Sequence, residues 1–542
     1  MKKIIYILII FTGIIFSCES ILDEPVYSYR LEKDIFSSNE ATKAFLDGTY
    51  SRLNDLALYG GVMQQNLAWH SGVLGRRAGD QPDYASLTIN SYSKWMKEIY
   101  GKHYQMITDA NTLLHYIDSE VSDELRNATG LAYFIRGFSY FNLVRIYGAV
   151  PLVTEHNNNI IVSAKPRAKS IAEVYEQIVS DFNNAYNLMD SVQTDITLPK
   201  RLAAYAMLAK VYLTWAGQDN NFNSSVHWQL ARDFADSVIA REGQLEGYSL
   251  FSDYSELFSP DNEYNTESIF EISNGSEDGA GSSLTNYYAA FSSGWANFRT
   301  GGWGRIVVMR EIIDTLNATH NGRDNRMLTN IVDPSYPDKF NTNKLVFAYP
   351  SLGGRKYQQL PGFAKYKDPD ASKNDSEINF PIFRYAEIFL IRAEADNEIS
   401  NGPTPQAIDD INKLLSRSRN SSGGADTIPV DIQASDFTGV PGKTAQEAFA
   451  DRIGVERLAE LLGENNEWFD ARRYGWEHLR DIFEAHNNRL DSAKAQNIFK
   501  ATVDFYFPTD ENSVKKHMLW PIPQEEINQN GMISEEDQNP GY

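Results

Sequence analysis

Residues 130–148 read Gly130-Leu-Ala-Tyr-Phe-Ile-Arg-Gly-Phe-Ser-Tyr-Phe-Asn-Leu-Val-Arg-Ile-Tyr-Gly148. The run is apolar nearly all round, too long for one strand, and stopped by Gly148 and Pro151. It predicts a helix buried on every side. Such a helix needs other helices around it, and the flanking sequence supplies them. Residues 37–56 have Ser37 or Ser38 to cap them, Glu40 in the first turn and an apolar face of Ala41, Ala44, Phe45 and Leu46. A second run goes from Trp95 through Tyr100, Tyr104, Ile107, Ala110 and Leu114 at spacings of three to five. Residues 170–189 and 202–215 follow.

The helices are similar to one another. Ala132-Tyr133 and Tyr140 align with Ala204-Tyr205 and Tyr212, with Gly137 against Ala209; Phe389-Leu-Ile-Arg-Ala-Glu-Ala395 mirrors Tyr133-Phe-Ile-Arg-Gly-Phe-Ser139. The first offset is 72 residues, close to two units of the ~34-residue tetratricopeptide (TPR) helix-turn-helix repeat. Small residues at fixed places let neighbouring helices approach. Chance similarity among buried helices is the alternative. Towards the C-terminus, residues 383–399, 405–419 and 445–462 read as helices. Val455, Leu458, Ala459 and Leu462 share one face of the last, and Gly463 is its stop. Residues 421–444 read as loop, and the end from Leu519 is turn-rich. The expected architecture is all-α, with TPR-like stacked helical pairs.

Two stretches break the pattern. Residues 59–93 are mixed and loop-like, with Trp69, His70, Arg76, Arg77, Asp80 and Tyr84. Residues 217–381 are rich in Gly, Asn, Asp, Ser and Pro, with few long periodic runs, and read as a loop-rich insertion. Within it Tyr287, Tyr288, Phe291, Trp295, Phe298 and Trp303 are interleaved with Gly294, Gly301, Gly302 and Gly304. Rings without helical or strand period suit a loop that presents flat faces to a ligand. The plainer alternative is a loop packing its own rings on the scaffold. The expected division is a signal over residues 1–17, an anchor and tether over 18–35, a helical part over 36–216, the insertion over 217–381, and a second helical part over 382–542 that packs with the first as one domain.

Compartment is read from the N-terminus. Lys2 and Lys3 precede an apolar run over residues 4–16, broken only by Thr12 and Gly13, then Ser17 and Cys18, the only cysteine of 542 residues. These are the parts of a secretory signal, too short to span a bilayer at ~20 residues per helix. Cys18 at the cleavage position looks like a bacterial lipobox, Ile15-Phe16-Ser17-Cys18, in which the thiol takes a diacylglycerol. Phe16 is bulkier than usual there. A plain signal peptide with an incidental cysteine is the alternative. Glu19, Asp23 and Glu24 behind it resemble an outer-face export signal, or are a solvated tether.

Net charge is −22, and losing Lys2 and Lys3 leaves 48 basic against 72 acidic residues, or −24. Such a chain repels phosphates, which argues against nucleic acid as a partner. Catalytic and cofactor patterns are incomplete in this sequence. Gly442-Lys443-Thr444 lacks the earlier glycine of a phosphate loop, Phe437 standing there. No Gly-x-Ser-x-Gly and no His-Glu-x-x-His occurs. The run from Asp368 to Glu377 has oxygen ligands at alternate positions, but Lys373 and Asn379 replace the glycine and glutamate of a calcium loop, so a solvated turn is expected. No cofactor, metal or catalytic residue is assigned. A glycoside hydrolase needs two carboxylates ~5–10 Å apart, and 72 acidic residues guarantee candidates.

Four segments, spread over the chain, together resemble the SusD/RagB family of outer-membrane nutrient-binding lipoproteins. They are Cys18 with Leu22-Asp-Glu-Pro25 and the helix at 36–50; Ile135-Arg-Gly-Phe-Ser-Tyr-Phe-Asn-Leu-Val-Arg-Ile-Tyr-Gly-Ala-Val-Pro-Leu-Val153; Phe383-Arg-Tyr-Ala-Glu-Ile-Phe-Leu-Ile-Arg-Ala-Glu-Ala395; and Glu456-Arg-Leu-Ala-Glu-Leu-Leu-Gly-Glu-Asn-Asn-Glu-Trp-Phe-Asp-Ala-Arg-Arg-Tyr-Gly475, with Trp520-Pro-Ile-Pro523 and Asn539-Pro-Gly541. Glu467 stands where a basic residue is common, and Ala471 where leucine is. The resemblance implies four TPR-like units, a lipid anchor in the outer membrane at the cell surface, and a SusC-like TonB-dependent transporter as partner, on which the protein sits as a hinged lid. It implies an oligosaccharide ligand in most members and peptides in some, and no enzyme activity. Its motifs hold the scaffold; Arg472 and Arg473 are expected to pair with carboxylates such as Glu456, Glu464 or Asp470. The candidate ligand residues are Trp69, Arg76, Asp80 and Trp95, with Tyr287, Trp295 and Trp303. Trp95 serves equally well as a scaffold residue.

Overall fold

The structure is a computed structural model. It describes residues 36–542 apart from 37, 77–81, 118–121, 157–163, 219–223, 276–280, 289–303, 321–323, 333–355, 359–361, 367, 369–375, 422–428, 496–497 and 501–504. Cys18, Asp80, Trp295 and Trp303 lie outside the described residues.

In chain order the elements are α1 (Asn39–Ser51), α2 (Val62–His70), β1 (Leu74–Arg76), α3 (Pro82–Ala85), α4 (Met96–Tyr116), α5 (Asp123–Tyr147), α6 (Ile171–Leu188), α7 (Leu202–Gln218), α8 (Ser224–Ile239), β2 (Ser268–Ile272), α9 (Leu284–Tyr288), β3 (Ile306–Val308), α10 (Arg310–Thr319), α11 (Asn325–Asn330) and β4 (Ile331–Val332). Then come β5 (Lys356–Gln358), β6 (Gly362–Phe363), β7 (Phe380–Arg384), α12 (Tyr385–Ser400), α13 (Pro405–Asn420), α14 (Ala445–Leu461), α15 (Glu467–Arg473), α16 (Trp476–Ala495), β8 (Ile498–Lys500), α17 (Glu511–Lys516) and α18 (Gln524–Gln529).

The expected all-α scaffold of stacked helical pairs is present. α4 packs on α5, α5 on α6, α6 on α7 and α7 on α8; α8 packs on α12, which packs on α13 and α14. Helices from the two ends of the chain therefore form one array. α5 is buried on nearly every residue from Ala128 onward, as its sequence requires, and each fully buried Leu, Ile or Phe contributes ~1.5–3 kcal/mol. Its small residues set the spacing: a Cβ on Gly137 would lie 3.1 Å from Asp181 Cβ, and one on Gly130 would lie 2.7 Å from Met189 on the adjoining turn. Side-chain caps start several of the helices. Ser38 rather than Ser37 accepts from Ala41 N–H, Ser170 accepts from Glu173 N–H, and Thr444 forms a reciprocal capping box with Glu447. Gly463, at φ +84°, follows α14 with its Cα against the Phe363 ring.

The structure corrects three readings. Residues 62–70 are a helix, not loop, and all nine are buried, including Gln64, Gln65 and Asn66; their polar side chains hid them. Phe383 and Arg384 end a strand, and the helix begins at Tyr385. The insertion contains regular helices, α8 and α10. α8 buries only Ala231, Ala235 and Val238, a stripe too small to stand out as an apolar face. The strands among the described residues form four two-stranded pairs, β1–β3, β2–β7 and β4–β6 antiparallel and β5–β8 parallel. Among the described residues no helix is long and apolar enough to cross a membrane.

Candidate ligand-binding site

Three of the predicted residues, Trp69 and Arg76 from one stretch and Tyr287 from another, meet at the β1–β3 pair. α2 ends in a turn closed by Ser71, whose Oγ donates to Ala68 O at 2.6 Å and accepts from the N–H of Val73 and Leu74 at 3.1 Å. That turn launches β1, which pairs with β3 in the register Leu74↔Val308, Gly75↔Val307 and Arg76↔Ile306. Trp69 Nε1 donates to the Arg305 carbonyl at 3.2 Å, just ahead of β3. The Arg305 guanidinium lies 4.6 Å from the Tyr287 ring centroid and donates to Gln65 Oε1 at 3.3 Å. Arg76 approaches the Trp69 ring at 5.9 Å. Tyr287 on α9 packs on Gly61, where φ is +151° and a Cβ would stand 2.5 Å from the ring; Ser283 N–H donates to Gly60 O at 3.1 Å. The Gly60-Gly61 turn is thus a seat for Tyr287 as well as a break.

Neither ring stands open, and Tyr287 follows the plainer alternative of packing on the scaffold. Trp69 is 1% exposed and Tyr287 5%, because strand pairing and the Arg305 side chain close over them. They form a wall on which segment 304–308 is laid, while Arg76 is half-buried. Tyr288 is scaffold, packed edge-on against Phe363 and Tyr366 at about 5 Å. Trp95 is set apart from this cluster. It precedes α4 in the left-handed region at φ +73° and packs half-buried against the core, with the Lys94 ammonium 5.5 Å from its ring.

A second concavity had no signal in the sequence. A groove of about 860 Å³ runs along β2, between Phe270-Glu-Ile-Ser273, the C-terminal half of α1 and residues 195–198. β2 pairs only with β7 among the described residues, and its other side faces this groove and a smaller one lined by Val192, Ile196, Tyr248 and Tyr264. The larger wall is charged: Lys102 Nζ lies 2.6 Å from Asp55, Arg52 Nε 2.6 Å from Asp109, and Lys43 2.8 Å from Asp47 and 3.2 Å from Asp195. Those two carboxylates, bonding its ammonium, hold Lys43 above its usual range. Glu271 is held above the carboxylate range by burial, against hydrogen bonds from Asn379, Ser268 and Tyr264. The groove arises from pairing between residues more than a hundred positions apart, which periodicity cannot report.

A buried ion-pair network is centred on the C-terminal half of α14 and the residues that follow it. Arg384 reaches Glu267, Glu460 and Glu464; Arg326 reaches Asp324, Glu456 and Glu460; Lys365 reaches Glu464 at 2.6 Å. His320 Nε2 lies 2.7 Å from Glu456. The network ties the insertion to the C-terminal helices. Arg473 meets Asp470 at 2.9 Å, as expected, and also Glu394. Arg472 does not follow: its guanidinium lies 4.3 Å over the Trp468 ring, and neither terminal nitrogen has a hydrogen-bond partner among the described residues. Glu456 and Glu464 are already taken by other cations. Asp368 Oδ2 accepts from Ser376 Oγ and Glu377 N–H, both at 2.9 Å, a turn closure. No group of three or more metal-ligating side chains occurs among the described residues.

The sequence matches a family model described as SusD family over residues 266–542 and one described as starch-binding associating with outer membrane over residues 48–213. It is 26% identical over 493 residues to SusD-like protein P2 of Formosa agariphila, covering 87% of this chain and 90% of that one. Its fold is similar to a SusD homolog from Bacteroides thetaiotaomicron, at TM-score 0.73 and 19% identity over 94% of this chain and 98% of that one. It is similar also to a laminarin-binding SusD-like protein, at TM-score 0.67 and 20% identity over 93% and 99%.

Proposed function

This chain belongs to the SusD family, and on that premise we propose that it is a cell-surface glycan-binding lipoprotein that captures oligosaccharides and delivers them to a SusC-like TonB-dependent outer-membrane transporter. The observation that carries the proposal is the convergence of Trp69 and Arg76, from one stretch, with Tyr287, from another, on the β1–β3 pair. The family's named relatives, one of them laminarin-binding, make a glycan the first ligand class to test. Arg76 contacts the ligand, with Trp295, Trp303 and Asp80 contributed by the adjoining segments 289–303 and 77–81. Trp69 and Tyr287 hold Arg305 and β3 beneath them. Rings stack on sugar C–H faces, and Arg and Asp bond hydroxyls. Cys18 carries the lipid in the outer membrane and holds the protein beside the transporter, on which it acts as a lid.

The role is binding, with no turnover. A glycan panel including laminarin and starch oligosaccharides, applied to protein lacking residues 1–18, tests both parts: binding without product release is expected. Release of shorter sugars would make the protein a hydrolase, and silence across the panel would remove the glycan.

A second reading, peptide capture by the same machinery, is favoured by the groove along β2. A strand paired on one side offers backbone groups to an extended chain, and the groove's wall carries the charged groups of Arg52, Asp55, Lys102 and Asp109. Peptide binding that survives Arg76→Ala would favour it.

A further inference from the structure

The buried ion pairs around α14 and α15 fall into two sets, and each cancels. Lys210, Arg457 and Arg473 face Glu387, Asp470 and Glu394. Arg326, Arg384, Arg417, Arg452 and Lys365 face Asp324, Glu267, Glu456, Glu460 and Glu464. Two buried guanidiniums beside these sets, Arg145 and Arg472, lie in no ion pair among the described residues. Arg145 is clasped between the Phe141 and Phe469 rings at 4.0 Å each, and its bonds go to neutral acceptors, Asn142 Oδ1 at 2.5 Å and Phe141 O at 3.3 Å. Arg472 lies 5.9 Å from the same Phe469 ring. Buried charge without a counter-charge is strongly disfavoured.

Arg145 lines an internal chamber of about 20 Å³ shared with Tyr59, Lys210, Glu464, Asn465 and Asn466. That volume takes one particle of about water size. Most of these polar groups are engaged: Lys210 bonds Glu387 and Asn466 Oδ1, both at 2.9 Å, and Glu464 is taken by Arg384 and Lys365. Asn465 is not. It is 7% exposed, sits in the left-handed region at φ +62°, and neither its Nδ2 nor its Oδ1 has a partner among the described residues.

We propose that this chamber binds a monatomic anion, a halide, with Asn465 Nδ2 donating to it and the Arg145 guanidinium as its counter-charge. Arg472 adds to the positive field. Water would satisfy the amide equally but would leave Arg145 uncompensated, and the volume excludes a carboxylate-bearing ligand.

The test compares chloride with gluconate, which is too large to enter, at equal ionic strength. The thermal midpoint of the wild type rises by about 2 °C or more in chloride, whereas Asn465→Asp, which brings its own negative charge, shows no such rise. Crystals grown in bromide give an anomalous peak between Arg145 and residue 465. Equal midpoints in the two salts, a chloride effect that persists in N465D, or a bromide map without that peak would each overturn the proposal. The map requires only the wild type, so it stands even if the variant folds poorly.

Discussion

Trp69 Nε1 donates to the main-chain carbonyl of Arg305 at 3.2 Å, across 236 positions of sequence. The bond joins the end of α2 to the start of β3, and hence the first irregular stretch to the last residues of the aromatic-glycine segment. Trp69→Phe keeps a ring but removes the donor, leaving a buried carbonyl unsatisfied. That costs about 1–3 kcal/mol. A lower denaturant midpoint is expected, with glycan affinity falling alongside it. A lower midpoint with unchanged affinity would separate the strand anchor from the ligand site.

Arg76, Trp295 and Trp303 are proposed to touch the ligand directly. Replacing each by Ala should weaken glycan binding tenfold or more, ~1.4 kcal/mol, while the thermal midpoint stays near that of the wild type. Trp95→Ala should do the opposite, lowering stability and sparing affinity, since Trp95 packs on the core. Calorimetric titration of all four variants checks the pattern. Wild-type affinity in R76A, W295A and W303A would remove the assignment.

Glu467 is buried on α15, accepts from Gly463 N–H, and is pushed up to about 7 by loss of solvent. A carboxyl raised in the folded state is protonated there while the unfolded chain is already ionised. Between about 4.5 and 7 the native state therefore binds more protons, and stability falls as pH rises. Glu467→Gln removes this term. It should leave stability near pH 4 almost unchanged and raise it by about 3 kcal/mol at pH 8. Parallel pH profiles for the two proteins would argue that the carboxyl finds a counter-charge.

Cys18→Ala, expressed in the native host, should leave ligand binding by the soluble part intact and lower uptake of the bound glycan. Membrane fractionation should show the variant released. Unchanged uptake would mean that contact with a transporter holds the protein without a lipid.

The scaffold was legible because buried helices write their surroundings into composition. Residues 130–148 can be apolar all round only if helices cover every side, and Gly130 and Gly137 mark where α6 comes close. The cap at Ser38 and the stop at Gly463 were legible for the same local reason. α2 was not, since Gln64, Gln65 and Asn66 look exposed in a sequence yet are buried. β7 was missed because Phe383-Arg384 runs into α12 without a break.

The candidate residues divide along the same line. Their chemical types could be picked one by one, because a ring or a guanidinium carries its capability with it. Which of them share a site could not, because that rests on the β1–β3 register and on Arg305 reaching both Tyr287 and Gln65. Charge pairing was legible only in part: Arg473 meets the expected Asp470, and Glu394 besides, yet its sequence neighbour Arg472 lies over an indole face. Local sequence dictates helix, cap and turn because those forces act within a few residues. Burial, partner and site are set by groups that only the folded chain brings into range.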